Sequence, residues 1–312
     1  MIKTVNNTPE EQSMKKLSIF ALSLALVGCG ENQNSSQDNS NAQSTVTTSS
    51  NFNLRSFSQA QTCQYNFDAT QQDYDAWNLQ NPGYTSATQF PEINGQKFGF
   101  TVKSTPIEEE AHTSYTATSK AALEPTNNNG DFPLPTTGII AFEMQVKIPT
   151  PPPTGDSSYT SSFWIRGMTD NGYAIHSDFG FQSGTHDPDF GENPAALFYS
   201  LRYQLSDGTG PTTVGHYKNT KVTSNTDNYQ RLGIYINQLT KQVGFIFNGA
   251  DQGYQSTLPA ALENLSFNIN SGVSIYSNHL DGQELSSELI TDRNALQFSY
   301  PQGTTDICGN VI

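Results

Sequence analysis

Charge is scarce in this chain: 14% of its 312 residues are Asp, Glu, Lys or Arg, with 15 basic residues against 29 acidic ones. The net charge of −14 repels phosphate backbones and anionic headgroups, which argues against nucleic acid as a partner and against electrostatic adhesion to a membrane. Three cysteines are too few for a multiply bridged scaffold or a cysteine-rich zinc site. His112, His186, His216 and His279 stand apart without metal-ligand spacing, so zinc is not expected. No apolar run approaches the roughly 20 residues that span a bilayer. Gly-x-Ser-x-Gly elbows, phosphate loops and dinucleotide fingerprints are also missing. Amphipathic helical periodicity is absent too, apart from one helical turn expected at Pro259–Glu263. What is plentiful is Tyr, Phe, Gly, Asn, Ser and Thr, the residues of short strands and polar turns.

The N-terminal region carries an export pattern. Met14-Lys15-Lys16 precedes the apolar run Leu17 to Val27, and Leu26-Val27-Gly28-Cys29 follows. A basic start and a short apolar core read as a signal peptide. The tetrad resembles the bacterial lipobox, which implies diacylation of Cys29 and removal of residues 1–28. Translation is expected to start at Met14, or residues before it form a long n-region. Two or three acyl chains give stable membrane attachment, and Gly30 in place of Asp resembles lipoproteins passed on to the outer membrane; the leaflet stays open. Residues 29–61 are Ser, Asn, Gln and Thr with few apolar side chains, a composition that makes a disordered tether. The folded domain is expected over 62–312. Without residues 1–28, which hold three lysines and two glutamates, the charge becomes −15.

Cys63 and Cys308 flank that domain. In an oxidising compartment they are expected to form a disulfide that makes the first and last strands neighbours. Two free thiols are the alternative.

Ile140, Phe142, Met144, Val146 and Ile148 alternate with Glu143, Gln145 and Lys147, a period of two that marks a strand with one buried face. The pattern recurs at Leu197 to Leu205 and at Leu265, Phe267 and Ile269. The most informative stretch is Tyr229–Tyr254, where Arg231-Leu232-Gly233-Ile234-Tyr235-Ile236 is followed by Val243-Gly244-Phe245-Ile246-Phe247-Asn248-Gly249. Asn-Gly favours a tight hairpin turn. This hairpin resembles the laminin-G-like and legume-lectin-like jelly rolls of the concanavalin A-like lectin/glucanase superfamily. The resemblance covers Cys63 to Cys308 and implies an all-β, two-sheet antiparallel jelly-roll sandwich, with Ser271–Tyr276 as a following core strand and a long last strand before Cys308.

Facing follows from alternation. If Phe163, Ile165, Ile175, Phe179 and Leu201 point inward, then Trp164, Arg166, His176, Asp178, Gln182, Phe198, Arg202 and Gln204 share the outer face. The resemblance makes that face the groove where saccharides lie. An aromatic plate with amide and charged groups suits sugar; a merely solvated sheet face is the alternative, and Trp164 and Phe198 exposed together would favour a partner. Asp187, Asp189 and Glu192 offer oxygens for Ca²⁺, but Gly191 breaks the EF-hand pattern, so an ordinary acidic loop is the preferred reading and no cofactor is assigned.

Catalysis is not expected. Glycoside hydrolases of this fold carry alternate carboxylates on one strand, and no Glu-x-Asp-x-x-Glu occurs. Polysaccharide lyases of the fold use Arg, His, Gln and Tyr; Arg166, His176, Gln182 and Arg202 imitate that set, but the Tyr-x-Lys-x-Gly strand is missing. The leading expectation is a non-enzymatic module for a glycan or an envelope or host surface ligand. A structural or assembly partner of envelope proteins is the alternative, and a uronan lyase a further one.

Overall fold

The computed structural model describes residues 62–78, 87–90, 93–102, 111–123, 130–151, 158–183, 195–210, 212–219, 228–275 and 280–312. The expected signal peptide, Cys29, the expected tether and the segment bearing Asp187, Asp189 and Glu192 lie outside them. Strands are numbered in chain order. The first sheet, A, runs β1 (Ala87–Gln89), β4 (Ala111–Thr118), β14 (Leu262–Ile275), β7 (Ser158–Thr169), β8 (Tyr173–Ser183), β9 (Ala195–Leu205), β10 (Thr213–Asn219), with β5 (Phe132–Pro133) against β14. Sheet B runs β13 (Ala250–Thr257), β12 (Gln242–Phe247), β11 (Tyr229–Asn237), β6 (Ile139–Lys147), β15 (Glu284–Ile290), β3 (Lys97–Thr101), β2 (Ile93–Asn94), with β16 (Thr304–Thr305) against β6. Pairing is antiparallel except for the short β1–β4 and β6–β16 contacts. This is the two-sheet jelly-roll sandwich expected from the alternation.

Aromatic rings join the two layers. Phe142 of sheet B meets Phe267 of sheet A edge-on at 5.1 Å and Phe179 at 6.1 Å. Tyr199 and Phe245 pair across the layers at 4.0 Å, and Phe100 stacks on Tyr115 at 3.9 Å. Each such ring carries a large apolar area out of water, and edge-on contacts add a modest geometric preference. One polar cluster interrupts the interior: the Ser161, Ser271 and Ser287 hydroxyls, one from each of β7, β14 and β15, lie 2.7–3.3 Å apart. They satisfy one another, which is what permits hydroxyls in a core. A void of about 20 Å³ lined by Ile165, Tyr199, Leu201, Ile234 and Leu258 is apolar and too small for any ligand.

The Asn248-Gly249 turn is as expected. Both residues have positive φ, 48° and 85°, the requirement of a two-residue type I′ hairpin, and Phe247 and Ala250 pair directly across it.

Four expectations need correction. Pro259–Glu263 is bend and strand start, not helix. Among the described residues the helices are α1 (Gln71–Asn78) and α2 (Lys120–Leu123). The first is begun by a reciprocal cap in which Asp73 N donates to Thr70 Oγ1 and Thr70 N donates to Asp73 Oδ2. The segment from Ser271 is no separate strand, because it continues Leu265, Phe267 and Ile269 into one strand of 14 residues. Third, no long strand precedes Cys308: β15 ends at Ile290 and the chain then leaves sheet pairing until the two residues of β16.

The fourth correction gives the reason for that departure. Glu143, expected on the wet face of β6, is fully buried. Its carboxylate accepts hydrogen bonds from Gln297 N (2.9 Å), Phe298 N (2.9 Å) and Tyr300 Oη (3.0 Å), and from Arg231 Nε. Arg231 also donates to Gln145 Oε1 at 2.9 Å and to the Ala295 carbonyl at 2.7 Å. The C-terminal segment therefore lies over the outer face of sheet B, where Phe298 and Tyr300 pack with Ala141, Tyr235 and Ile246. Gly233 leaves them room, since a Cβ there would stand 2.7 Å from Tyr300 Oη and 2.8 Å from Phe298 Cδ2.

The expected disulfide joins Cys63 to Cys308, with Cα atoms 5.7 Å apart across 245 residues of sequence. Neither cysteine lies in a strand, so the link ties flanking segments rather than neighbouring strands. Closing so long a loop is worth up to about 5 kcal/mol in the chain-entropy model. Reduction should lower the unfolding free energy by about 2–5 kcal/mol, read as a shift of the urea midpoint with and without reductant.

Burial raises the phenol of Tyr159 to about 12, overcoming hydrogen bonds from Ser161, Ser271 and Ser287. Tyr65, Tyr199 and Tyr300 are raised by burial in the same sense, Asp131 and Glu143 adding to the effect at Tyr65 and Tyr300. The fold thus favours neutral phenols, a stabilisation present in full below pH 10 and lost as pH rises toward about 12. Thermal melts should fall steeply between about pH 10 and 12, with tyrosinate absorbance rising together with unfolding rather than before it.

Candidate functional site

The outer face of sheet A collects the expected residues in registered rows. Arg166, His176 and Arg202 are direct partners across β7, β8 and β9, and Trp164, Asp178 and Ser200 form the next row. Ser162, Gly180 and Phe198 follow, then Thr160, Gln182 and Ala196; Gln204 lies at the other end, beside Ala174. Arg202 is exposed, and the other seven candidate side chains are half-buried. Their opposite-parity neighbours Phe163, Ile165, Phe179 and Leu201 are in the core, as the alternation requires.

The centre of the face is electrostatically unbalanced. His176 Nε2 lies 3.5 Å from Asp178 Oδ1, and the imidazole is 6.1 Å from the Trp164 indole, centre to centre. Ser200 Oγ donates to Asp178 Oδ2 at 3.3 Å. Asp178 Oδ1 is buried yet accepts no hydrogen bond from the protein. Desolvation lowers the affinity of the Arg166 guanidinium for its proton, and the Asp178 charge partly opposes that. An acceptor and a donor group held side by side without hydrogen-bond partners cost free energy that an incoming polar ligand can recover.

Two candidates stand apart. Gln204 Nε2 donates to the Gly208 and Gly210 carbonyls at 3.0 and 3.4 Å, so its amide holds the β9–β10 turn. Trp164 and Phe198 do not make one apolar patch, because they lie on different rows of β7 and β9, and Gly180 and Asp178 of β8 occupy the positions between them.

Sequence reading missed the contribution of β14. Ser266 and Asn268 stand directly beside Arg166 and Trp164. Their alternation with Leu265, Phe267 and Ile269 was visible, but pairing of β14 with β7 joins residues about a hundred positions apart and leaves no local signal. Asn264, next along, is structural: its Oδ1 accepts from Gly130 N and Met168 N.

Fold and surface together define a two-sheet antiparallel β-sandwich with an open polar–aromatic face on sheet A. Residues 42–310 match the family described as Domain of unknown function (DUF4882), and the chain belongs to that family. No curated protein matches it. Among solved structures, porphyranase B from Zobellia galactanivorans is similar over 67% of this chain and 84% of its own, at 13% identity and a TM-score of 0.40. The kappa-carrageenase from Pseudoalteromonas carrageenovora is similar over 64% and 79%, at 10% identity and 0.37. Alginate lyase A1-II′ is similar over 56% and 67%, at 15% and 0.27. At such values the likeness assigns no role to any residue.

Facing makes a stability contrast. Gln182→Ala on the outer face should leave unfolding within about 0.5 kcal/mol of the parent, whereas Glu143→Ala, which strands Arg231 and uncovers sheet B, should cost about 3–5 kcal/mol in a denaturant titration.

Proposed function

We propose that this chain is a lipid-anchored extracytoplasmic protein whose jelly roll binds carbohydrate, without catalysis, on the outer face of sheet A. The observation that carries the reading is the cluster at the centre of that face: the half-buried Trp164 indole next to His176, with Asp178 Oδ1, which accepts no hydrogen bond from the protein, and the Arg166 guanidinium alongside. An indole offers a flat apolar surface for sugar C–H bonds, while carboxylate and guanidinium groups exchange hydrogen bonds with hydroxyls. Ser200 and Asn268 border the cluster in register and extend the polar rim.

A binding role fits the chemistry better than hydrolysis. Glycoside cleavage uses two carboxyl groups about 5–9 Å apart, and β7, β8 and β9 together contain one carboxylate, Asp178. The Lys15-Lys16 start, the apolar run and the Leu26–Cys29 tetrad support the anchor, and the Cys63–Cys308 disulfide fits an oxidising compartment.

Glycan-array binding by the purified chain is the test. Trp164→Ala should weaken the strongest glycan by about tenfold, the usual scale of a stacking contact together with its buried area, at unchanged melting temperature. An array on which parent and variant are equally silent, or equally bound, would sink the reading.

A further inference from the structure

The four arginines of the described residues divide into two kinds. Arg231 is spent on Glu143, Gln145 and the Ala295 carbonyl, and Arg293 donates to the Val311 carbonyl at 3.0 Å. Arg166 and Arg202, both on the outer face of sheet A, have no hydrogen-bond or ion-pair partner among the described residues. A guanidinium presents five N–H donors in a planar fork that matches a carboxylate or sulfate oxygen pair. Leaving two such forks unused on one face of a chain with only 15 basic residues and a charge of −14 is a local inversion of its overall electrostatics. Asp178 is the single carboxylate of the three strands. It faces Arg166 without a hydrogen bond and leaves Arg202 uncompensated.

Resting on the carbohydrate-binding reading, we infer that the ligand is an anionic polysaccharide, its carboxylate or sulfate groups taken by Arg166 and Arg202 and its ring by Trp164. The two arginines are two strands apart in one row with His176 between them, roughly 10 Å at the backbone. That spacing suits acidic groups carried on separate sugar units of one chain. In the next strand, His216 and Lys218 stand in backbone register opposite Ser200 and Phe198, so the excess of basic residue types continues toward that edge.

The test is calorimetric titration of the purified chain with a polyuronate and a sulfated galactan, each beside its carboxyl-reduced or desulfated backbone. The charged forms should bind at least about tenfold more tightly, the scale of one charge-assisted hydrogen-bond pair. Arg202→Gln should remove that preference, and Arg202→Lys should restore only part of it, having charge without the fork. Whichever charged polymer binds more tightly tells carboxylate from sulfate as the natural group. Equal binding of charged and neutral forms, still abolished by Trp164→Ala, would overturn this inference and leave the carbohydrate reading standing. Retention of the charge preference by Arg202→Gln would overturn it too, and silence toward all four polymers would end this inference and leave the carbohydrate reading to the glycan array.

Discussion

Burial of the two inner faces against each other, through Phe142, Phe179 and Phe267 at the centre and Tyr199 with Phe245 to one side, decides everything else in this molecule. Alternate residues of a strand point oppositely, so committing one parity to the core commits the other to the outside. Each sheet is then left with a second face whose polar and apolar groups still need partners. The two sheets answer that requirement differently, and the difference separates scaffold from candidate site.

On sheet B the answer comes from the same chain. Glu143 and Arg231 point outward by parity, yet the C-terminal segment brings two backbone N–H groups and the Tyr300 hydroxyl to the carboxylate and a carbonyl to the guanidinium. A buried ion pair is not a net source of stability merely by being charged; what makes it tolerable is the number of further hydrogen bonds that complete it. Here those bonds also fix where the last twenty or so residues lie, and the disulfide to Cys63 holds the far end of that segment. On sheet A the equivalent groups are left to the solvent side. Arg166, Arg202 and Asp178 Oδ1 meet no comparable set of protein partners. The same residue types therefore mean opposite things on the two sheets, and neither charge nor strand parity alone distinguishes them.

This also explains how far the sequence could be read. Period-two alternation was enough to find β6, β7, β8, β9, β11, β12 and part of β14, with the facing of Trp164, His176 and Arg202, and the Asn-Gly pair gave the Asn248-Gly249 turn, because each is decided within a few residues. The disulfide was legible from the position of two cysteines. Glu143 was not, since its alternation with Phe142 and Met144 is that of any wet strand face, and only a segment more than 150 positions later turns it into a buried anchor. The contribution of Ser266 and Asn268 to the candidate face was hidden for the same reason: strand order is a long-range property. The capping box before α1 was local and readable, but an eight-residue helix of low amphipathicity gives no periodic signal to draw the eye.

An acidic protein as the receiver of an acidic polymer looks self-defeating until the distances are compared. At physiological salt the Debye length is about 8 Å, so the bulk of the chain's net negative charge is screened before a polymer reaches the sheet. At contact the balance is set by groups within a few ångströms, and on β7, β8 and β9 those are two guanidiniums against one carboxylate. A fork-to-carboxylate contact forms at about 2.8 Å and is roughly twice as strong as a neutral hydrogen bond. Selectivity is a difference between affinities: under the proposed reading, two guanidiniums in one row of sheet A favour polymers that can lay their acidic groups along that row.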